Sequence, residues 1–337
     1  MSATLLNGQT PPADLLALYV QDEGKLVDAS AVSYVITDLV TGSQITANAD
    51  ALAGKIATGV YSAVLSGGGL YTPSQTYARA AIEWSYTVGG NTKKLVRFFE
   101  VLTSDGVIKP SLNLCLVQDV KDAGSTETSS AKLWNMGQRW TSLIERTARQ
   151  RFRPIRETKR FRGQGATLML LPEPCFGVSK IEIEDSEVSS SLFHVFGATG
   201  RERFNPRIEL LSEVRNIYRV RISARFYESH KVEVSGVWGF VDVDTQWSAS
   251  VNYLEPPREI IQAAARGAYL SIFEAGGANI AVAPGVIKKE TTDGHSVEYA
   301  VSQPTATRPV MDILKDPEIA DAIKLYRAPI HISAPAE

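Results

Sequence analysis

Eight cations crowd one short stretch: Arg146, Arg149, Arg151, Arg153, Arg156, Lys159, Arg160 and Arg162. Across 132–162, ten Lys or Arg stand against two Glu, and Glu182, Glu184, Asp185 and Glu187 follow as an acidic cluster. Three kinds of chemistry fit the basic run. A helix C-terminus favours cations, so one reading is a solvated helix end. A second is ion pairing across a subunit interface with an acidic surface such as 182–187. The third is phosphate contact with DNA passing nearby, for which the aromatic interleaving is thin, with Phe152 and Phe161 alone. The asymmetry between the two clusters suits faces that must meet complementary faces.

Enzymatic constellations are sparse by comparison. His194, His230, His295 and His331 stand singly and far apart, so neither an HExxH pattern nor a close metal pair exists. Cys115 and Cys175 have no metal-ligand spacing and no framework for disulfides, and are expected free and buried. Gly67-Gly68-Gly69 lacks the Gly-Lys-Ser/Thr of a phosphate loop and reads as a connection between strands. Arg162-Gly163-Gln164-Gly165 holds two glycines of a dinucleotide fingerprint without the third and reads as a turn. No catalytic residue, cofactor or metal is expected from these patterns, although a triad assembled from distant residues leaves no trace in a sequence scan.

The 337 residues, 44% hydrophobic and 21% charged, describe a globular chain of about two domains, at roughly 100 to 200 residues each. A net charge of −2 and a pI near 6.2 argue against a surface built throughout for nucleic acid. MSATLLNGQTPP lacks a basic then apolar leader, and no window approaches the roughly 18 apolar residues of a membrane span. The expectation is a protein made and kept in a cytoplasm, with no membrane partner.

The elements that must position the charges fall into two textures. From Leu15 to Leu102 the chain shows short alternating runs and no helical period, which predicts that residues 1–104 form an all-β domain with enough strands for an immunoglobulin-like sandwich. Ala78, Ala80, Ile82, Trp84 and Tyr86 share one face of a strand whose hairpin partner is LVRFFEVL, with Val88-Gly89-Gly90-Asn91 as the turn. Residues 105–130, with the polar run AGSTETSS, read as a linker and connecting strand. Residues 131–308 read as an α+β domain. Leu133, Met136, Trp140, Leu143, Ile144 and Thr147 form one stripe of a helix that serines can cap. Strands follow, the last with Val232, Val234, Trp238 and Phe240 on one face, and then a helix opened by Pro256-Pro257 and closed by Gly276-Gly277. In 309–337, Asp316 caps a short helix with Pro317 in its first turn and Ile319, Ile323 and Tyr326 along one side.

The order of these pieces has a likeness. The helix ending in Ile144-Glu145-Arg146, then Phe152-Arg153-Pro154-Ile155, the strands around 168–172 and 178–183, Val232-Glu233-Val234-Ser235-Gly236-Val237-Trp238-Gly239-Phe240, and the helix entered through Pro256-Pro257-Arg258-Glu259-Ile260 together resemble phage head-tail connector proteins of the gp6-like adaptor family. The stretch 286–299 and the closing helix at 316–329 extend that resemblance, which covers roughly 113–329. It implies a homo-oligomeric ring, commonly of twelve copies, in the virion neck, joined to a portal protein above and a tail-side neck or terminator protein below. DNA would pass through its channel without sequence-specific binding, and the host cytoplasm would be the place of assembly. It carries no catalytic residues. The N-terminal domain departs from the compact family form and resembles immunoglobulin-like modules that decorate phage structural proteins.

On this resemblance, Ile319, Ile323 and Tyr326 are expected to dock on the portal, the rival being that their helix packs permanently on its own domain. The linker-like AGSTETSS and the change of texture imply that residues 1–104 are dispensable for ring formation. The rival function is a baseplate or fibre binding module that contacts the host surface through the β domain, which predicts exposed aromatic side chains on its loops. A deep pocket with convergent titratable residues would instead revive an enzyme.

Overall fold

The computed structural model describes residues 2–6, 14–63, 77–102, 111–198, 203–211, 214–215, 221–222, 225–248, 251–275, 289–292, 295–298 and 313–327. The glycine run at 67–69, most of the strand expected at 218–226, and the segments 299–312 and 328–337 with His331 lie outside the described residues.

The first half supplies β1 (Ser2–Leu6), β2 (Leu18–Tyr19), β3 (Gln21–Asp22), β4 (Lys25–Leu26), β5 (Ala31–Asp38), β6 (Gln44–Asn48), β7 (Lys55–Ala57), β8 (Val60–Tyr61), β9 (Tyr77–Val88), β10 (Asn91–Leu102) and β11 (Ser111–Asn113). β9 and β10 form the expected hairpin. Val88 faces Asn91, and Gly89 and Gly90 between them take φ of 57° and 79°, the paired left-handed conformations that a tight hairpin turn needs and a side chain resists. β5 and β6 extend this sheet on one side, while β1, parallel to β10, and β11 extend it on the other. A smaller sheet, β2-β8-β7, shares a core with it in which Leu18, Tyr61, Tyr34, Ile36, Trp84 and Phe99 are buried.

The second half contributes β12 (Ile155–Arg162), β13 (Leu168–Leu170), β14 (Cys175–Ile183), β15 (Ser186–Glu187), β16 (Phe193–Phe196), β17 (Arg207–Leu210), β18 (Val214–Arg215), β19 (Arg221–Ile222), β20 (Lys231–Trp238), β21 (Asp242–Ser248), β22 (Val251–Glu255), β23 (Lys289–Thr292) and β24 (His295–Glu298). β20 sits between β12 and β14, antiparallel to both. Alternation sends Val232, Val234 and Trp238 into a core shared with the sheet β13-β17-β16, through Met169, Phe193 and Ile208. After the chain turns at Gly239, Phe240 leaves that face and joins the helical core instead.

Among the described residues, four helices build that third core: α1 (Val117–Asp122), α2 (Ser130–Ala148), α3 (Arg258–Ala275) and α4 (Pro317–Leu325). The stripe expected on α2 is buried at Leu133, Trp140, Leu143 and Ile144, and the Trp140 indole N–H donates to Ser271 Oγ on α3 at 2.8 Å. The polar run 123–130, expected as a linker, is the short connection from α1 to α2. Its Ser129 hydroxyl accepts from the Lys132 N–H at 3.3 Å as the N-cap.

The chain is therefore a strand-rich α+β protein of several sheets, and its two halves are joined by backbone pairing. β22 lies parallel to β10, with Leu95 opposite Asn252. β4 pairs with β14 at Lys25 and Val178, and the Val178 N–H donates to the Gly24 carbonyl at 2.8 Å. Phe176, Val237 and Val241 are buried in the core of the N-terminal sheets. Residues 1–104, expected to be dispensable for ring formation, supply pairing partners to both sheets, so their removal would strip β22 of β10 and β14 of β4.

Candidate functional site

The basic run turns a corner of the fold. Arg146 lies in the last turn of α2, and Arg149 is its C-cap with φ 55°. Arg153 is clamped by Glu145, its Nε and Nη2 donating at 3.0 and 2.6 Å, and its Nη1 donates to the Leu112 carbonyl at 3.0 Å. Arg151 reaches Glu157 at 2.9 Å. On β12, side chains alternate between half-buried Glu157 and Lys159 and exposed Arg156, Thr158, Arg160 and Arg162. Lys159 contacts Glu173 and Glu157 and stands 4.5 Å from the centre of the Trp238 ring. Burial lowers its pKa, with Glu157 opposing and Arg151 adding to the effect. Arg156 lies 3.6 Å from Asp14, and Arg160 donates to Glu233 at 2.9 Å. Only Arg146, Arg149 and Arg162 of the eight have no ion-pair partner among the described residues.

This placement adds pairing within the chain to the three readings of the basic run. Much of the charge is neutralised within the chain by Glu145, Glu157, Glu173, Glu233 and Asp14. Sequence reasoning missed Asp14, Glu173 and Glu233 because they come from other strands and loops, and nothing local marks them.

The acidic cluster is likewise partly occupied. Glu182 holds Lys180 at 2.7 Å, and Lys180 also lies 3.6 Å from Glu187. Glu184 accepts the Lys231 N–H at 2.6 Å, and Asp185 is 3.4 Å from Lys231 Nζ. Glu184 and Asp185 form the β14–β15 turn with φ of 50° and 61°, left-handed values that such side chains seldom take. The Lys231 ammonium bonded to Glu233 lowers that carboxyl's pKa and has its own raised in return.

What the fold brings together is the two clusters on one sheet. Arg160 is opposite Glu233, Glu233 opposite Glu182, and Glu182 opposite Glu187. One cross-strand row thus runs from the basic edge strand β12 to the acidic β14–β15 hairpin, which flanks β14 beside β4 and β3. Beside the acidic edge lies a groove of about 550 Å³, lined by residues that include Leu26, Ser179, Lys180, Val188 and Phe193.

The proposed docking stripe on α4 is placed elsewhere. Ile319 and Ile323 are buried, and Tyr326 packs 6.2 Å from Phe152 and 5.6 Å from Phe240, with its hydroxyl donating to Glu259 at 3.0 Å. In this arrangement Ile319 and Ile323, with half-buried Tyr326 beside them, pack on the chain's own helical core, because a helix this short needs a bed. Arg266 fixes the helix start, its Nε and Nη2 each donating to Asp316 at 2.9 Å. Burial alone would raise the Asp316 carboxyl, but Arg266 and the Glu318 and Ile319 amides outweigh it and leave its pKa lowered. A depressed carboxyl stabilises the fold above its unfolded pKa, and that stability is lost as pH falls through the folded value. Amide protection over 319–326 is therefore expected to be strong in the isolated chain at neutral pH and to weaken below about pH 4, the ordinary aspartate value. Arg266→Ala should weaken it already at neutral pH. Rapid exchange of the wild-type helix at pH 7 would show that it does not rest on α3.

The thiols offer no chemistry at this surface. Cys175 is pushed up to about 12 by burial and Cys115 also well up, so both stay protonated. Among the described residues, no three His, Cys, Asp or Glu side chains gather where a metal could be held. A comparison of the sequence with protein-family models returns no match, and a comparison with curated proteins returns none either.

Proposed function

We propose that the chain is a structural subunit of a tailed-phage neck, a head-to-tail adaptor that assembles into a homo-oligomeric ring of about twelve copies, on the family resemblance. In this reading the ring joins portal to a tail-side neck or terminator protein, surrounds the DNA channel, and performs no covalent step. It would be assembled in the host cytoplasm and carried in the virion. The observation that carries the reading is one sheet with opposite charge on its two sides, Arg160 and Arg162 on the edge strand β12 and Asp185 and Glu187 on the β14–β15 hairpin, which flanks β14 beside β4 and β3. A ring needs two different faces on each subunit that complement each other under a fixed rotation, and such edges meet that need.

The N-terminal unit is proposed to be immunoglobulin-like. Supporting this are the order β1-β10-β9-β5-β6 in one sheet, β2-β8-β7 in the other, and the parallel pairing of the first strand with the last. The baseplate or fibre reading calls for exposed aromatic loops, whereas the exposed large apolar side chains described in this unit are aliphatic: Val35, Leu39, Val40, Leu52 and Ile56.

Electron microscopy of the purified chain tests the proposal. Closed rings with a central channel are expected, and a chain that stays monomeric at all concentrations would rule the ring out.

A further inference from the structure

We infer that neighbouring copies join by continuing one β-sheet, the outer edge of β12 in one copy receiving the β15 edge of the next. The inference rests on the ring reading and specifies its contact. β12 is eight residues long and pairs with β20 on one side, and no strand pairs with its other side among the described residues. The Gly163 N–H donates to the His230 carbonyl at 3.0 Å, one step beyond the Arg162–Lys231 pair and in the same register. Antiparallel ladders alternate, so Arg156, Thr158, Arg160 and Arg162 turn their backbone N–H and C=O groups outward.

On the far side of β14, where β15 pairs beside β4 and β3, the backbone has the matching polarity. The Val188 N–H donates to the Ile181 carbonyl at 2.9 Å, which makes Ile181 and Val188 a bonded pair and turns the backbone of Glu187 outward. Because β12, β20, β14 and β15 alternate in direction, a copy rotated about an axis roughly along the strands brings its β12 antiparallel to β15. The groove beside β15, with Leu26, Val188 and Phe193, leaves room for the incoming strand.

Charge selects the occupant. An unpaired edge accepts any strand unless side chains forbid it, and cations on β12 repel a second β12 edge. Exposed Arg160 and Arg162 face the neighbour on β12, and exposed Asp185 and Glu187 face it on the hairpin, so the acidic edge of a second copy is accepted where a like edge is refused. The contact is heterologous, and repetition closes it into a ring.

Paired charge reversal tests this on the full chain. One variant carries Arg160→Glu and Arg162→Glu, and the other carries Glu187→Lys with Asp185→Asn, which removes a second negative charge. Each alone sets like charges against each other at every contact and is expected to raise the concentration for assembly by at least about tenfold. Mixed one to one, each reversed edge meets its complement, and rings of alternating copies should return. Thr158→Pro removes an outward N–H without changing charge and should also weaken assembly. Should a reversed variant fold poorly, Arg162→Cys with Glu187→Cys in an otherwise wild-type chain should give a ladder of disulfide-linked oligomers on oxidation. Rings formed by each reversed variant alone as readily as by wild type, a mixture of folded variants that stays monomeric, or no ladder from wild-type-like rings would overturn the inference and leave the ring reading standing. A monomeric wild-type chain overturns both.

Discussion

Trp238→Ala is expected to cost about 3 to 5 kcal/mol, the usual range for cutting a large buried aromatic to alanine. The indole has no solvent exposure and lies in the core of the second half with Val232, Val234, Ile181 and Ile208. Phe161 is 5.9 Å away, and Lys159 covers the ring at 4.5 Å. The indole N–H donates to the Glu157 carbonyl at 3.0 Å, so the residue binds β20 to the neighbouring edge strand through its side chain as well as its backbone. Truncation would leave a cavity and uncover Lys159, whose pairing with Glu157 and Glu173 depends on a dry flank. Against a total stability of about 5 to 15 kcal/mol, such a loss should leave little soluble protein. Trp238→Phe keeps most of the packing and loses the hydrogen bond, so about 1 to 2 kcal/mol is expected. Urea melts followed by circular dichroism separate the two variants. A wild-type midpoint for Trp238→Ala would mean that the ring is not buried and that β20 does not carry the core assigned to it.

Trp238 was legible in the sequence because an eight-residue strand has room to display its period. The same holds for α2, with its serine cap and apolar stripe, and for the β9–β10 hairpin, where two glycines mark the turn. α1 was not legible: it has six residues, too few for a helical period. It starts where it does because the Asp119 carboxylate accepts the Leu116 N–H at 2.7 Å and Glu100, from β10, accepts the Val117 N–H at 2.9 Å. Half of that cap comes from a distant strand. For the same reason the basic run was legible as a composition and not as a surface. Its spacing along β12 shows which side chains share a face, but Asp14 is 142 residues from Arg156 and Glu233 is 73 from Arg160. Pairing across such separations is set by the order of strands, and strands of two residues such as β3 and β4 carry no period from which to read it.

Removing residues 1–104 is expected to abolish folding, and several independent contacts point the same way. β22 would lose its parallel partner at Lys94, Leu95 and Val96, becoming an open edge. β14 would lose β4 at Val178. Phe176, Val237 and Val241, buried in the N-terminal core, would face water, each at about 1.5 to 3 kcal/mol for a side chain of that kind. α1 would lose Glu100 from its first turn and Arg79, which holds Asp119 at 2.6 Å and Asp122 at 2.8 Å. The three exposed apolar side chains alone amount to a large share of an ordinary domain's stability, before the lost strand pairing is added. A fragment beginning at residue 105 should therefore be recovered as aggregate, or as a soluble species without the near-ultraviolet signature of packed tryptophans. The test has a sharp opposite outcome. A soluble 105–337 fragment with native-like tertiary spectra that still forms rings would show that β10 and β4 are accessories to the second half. The same result would leave β12 and β15, both outside the deleted region, as edges able to join copies without any help from the N-terminal sheets.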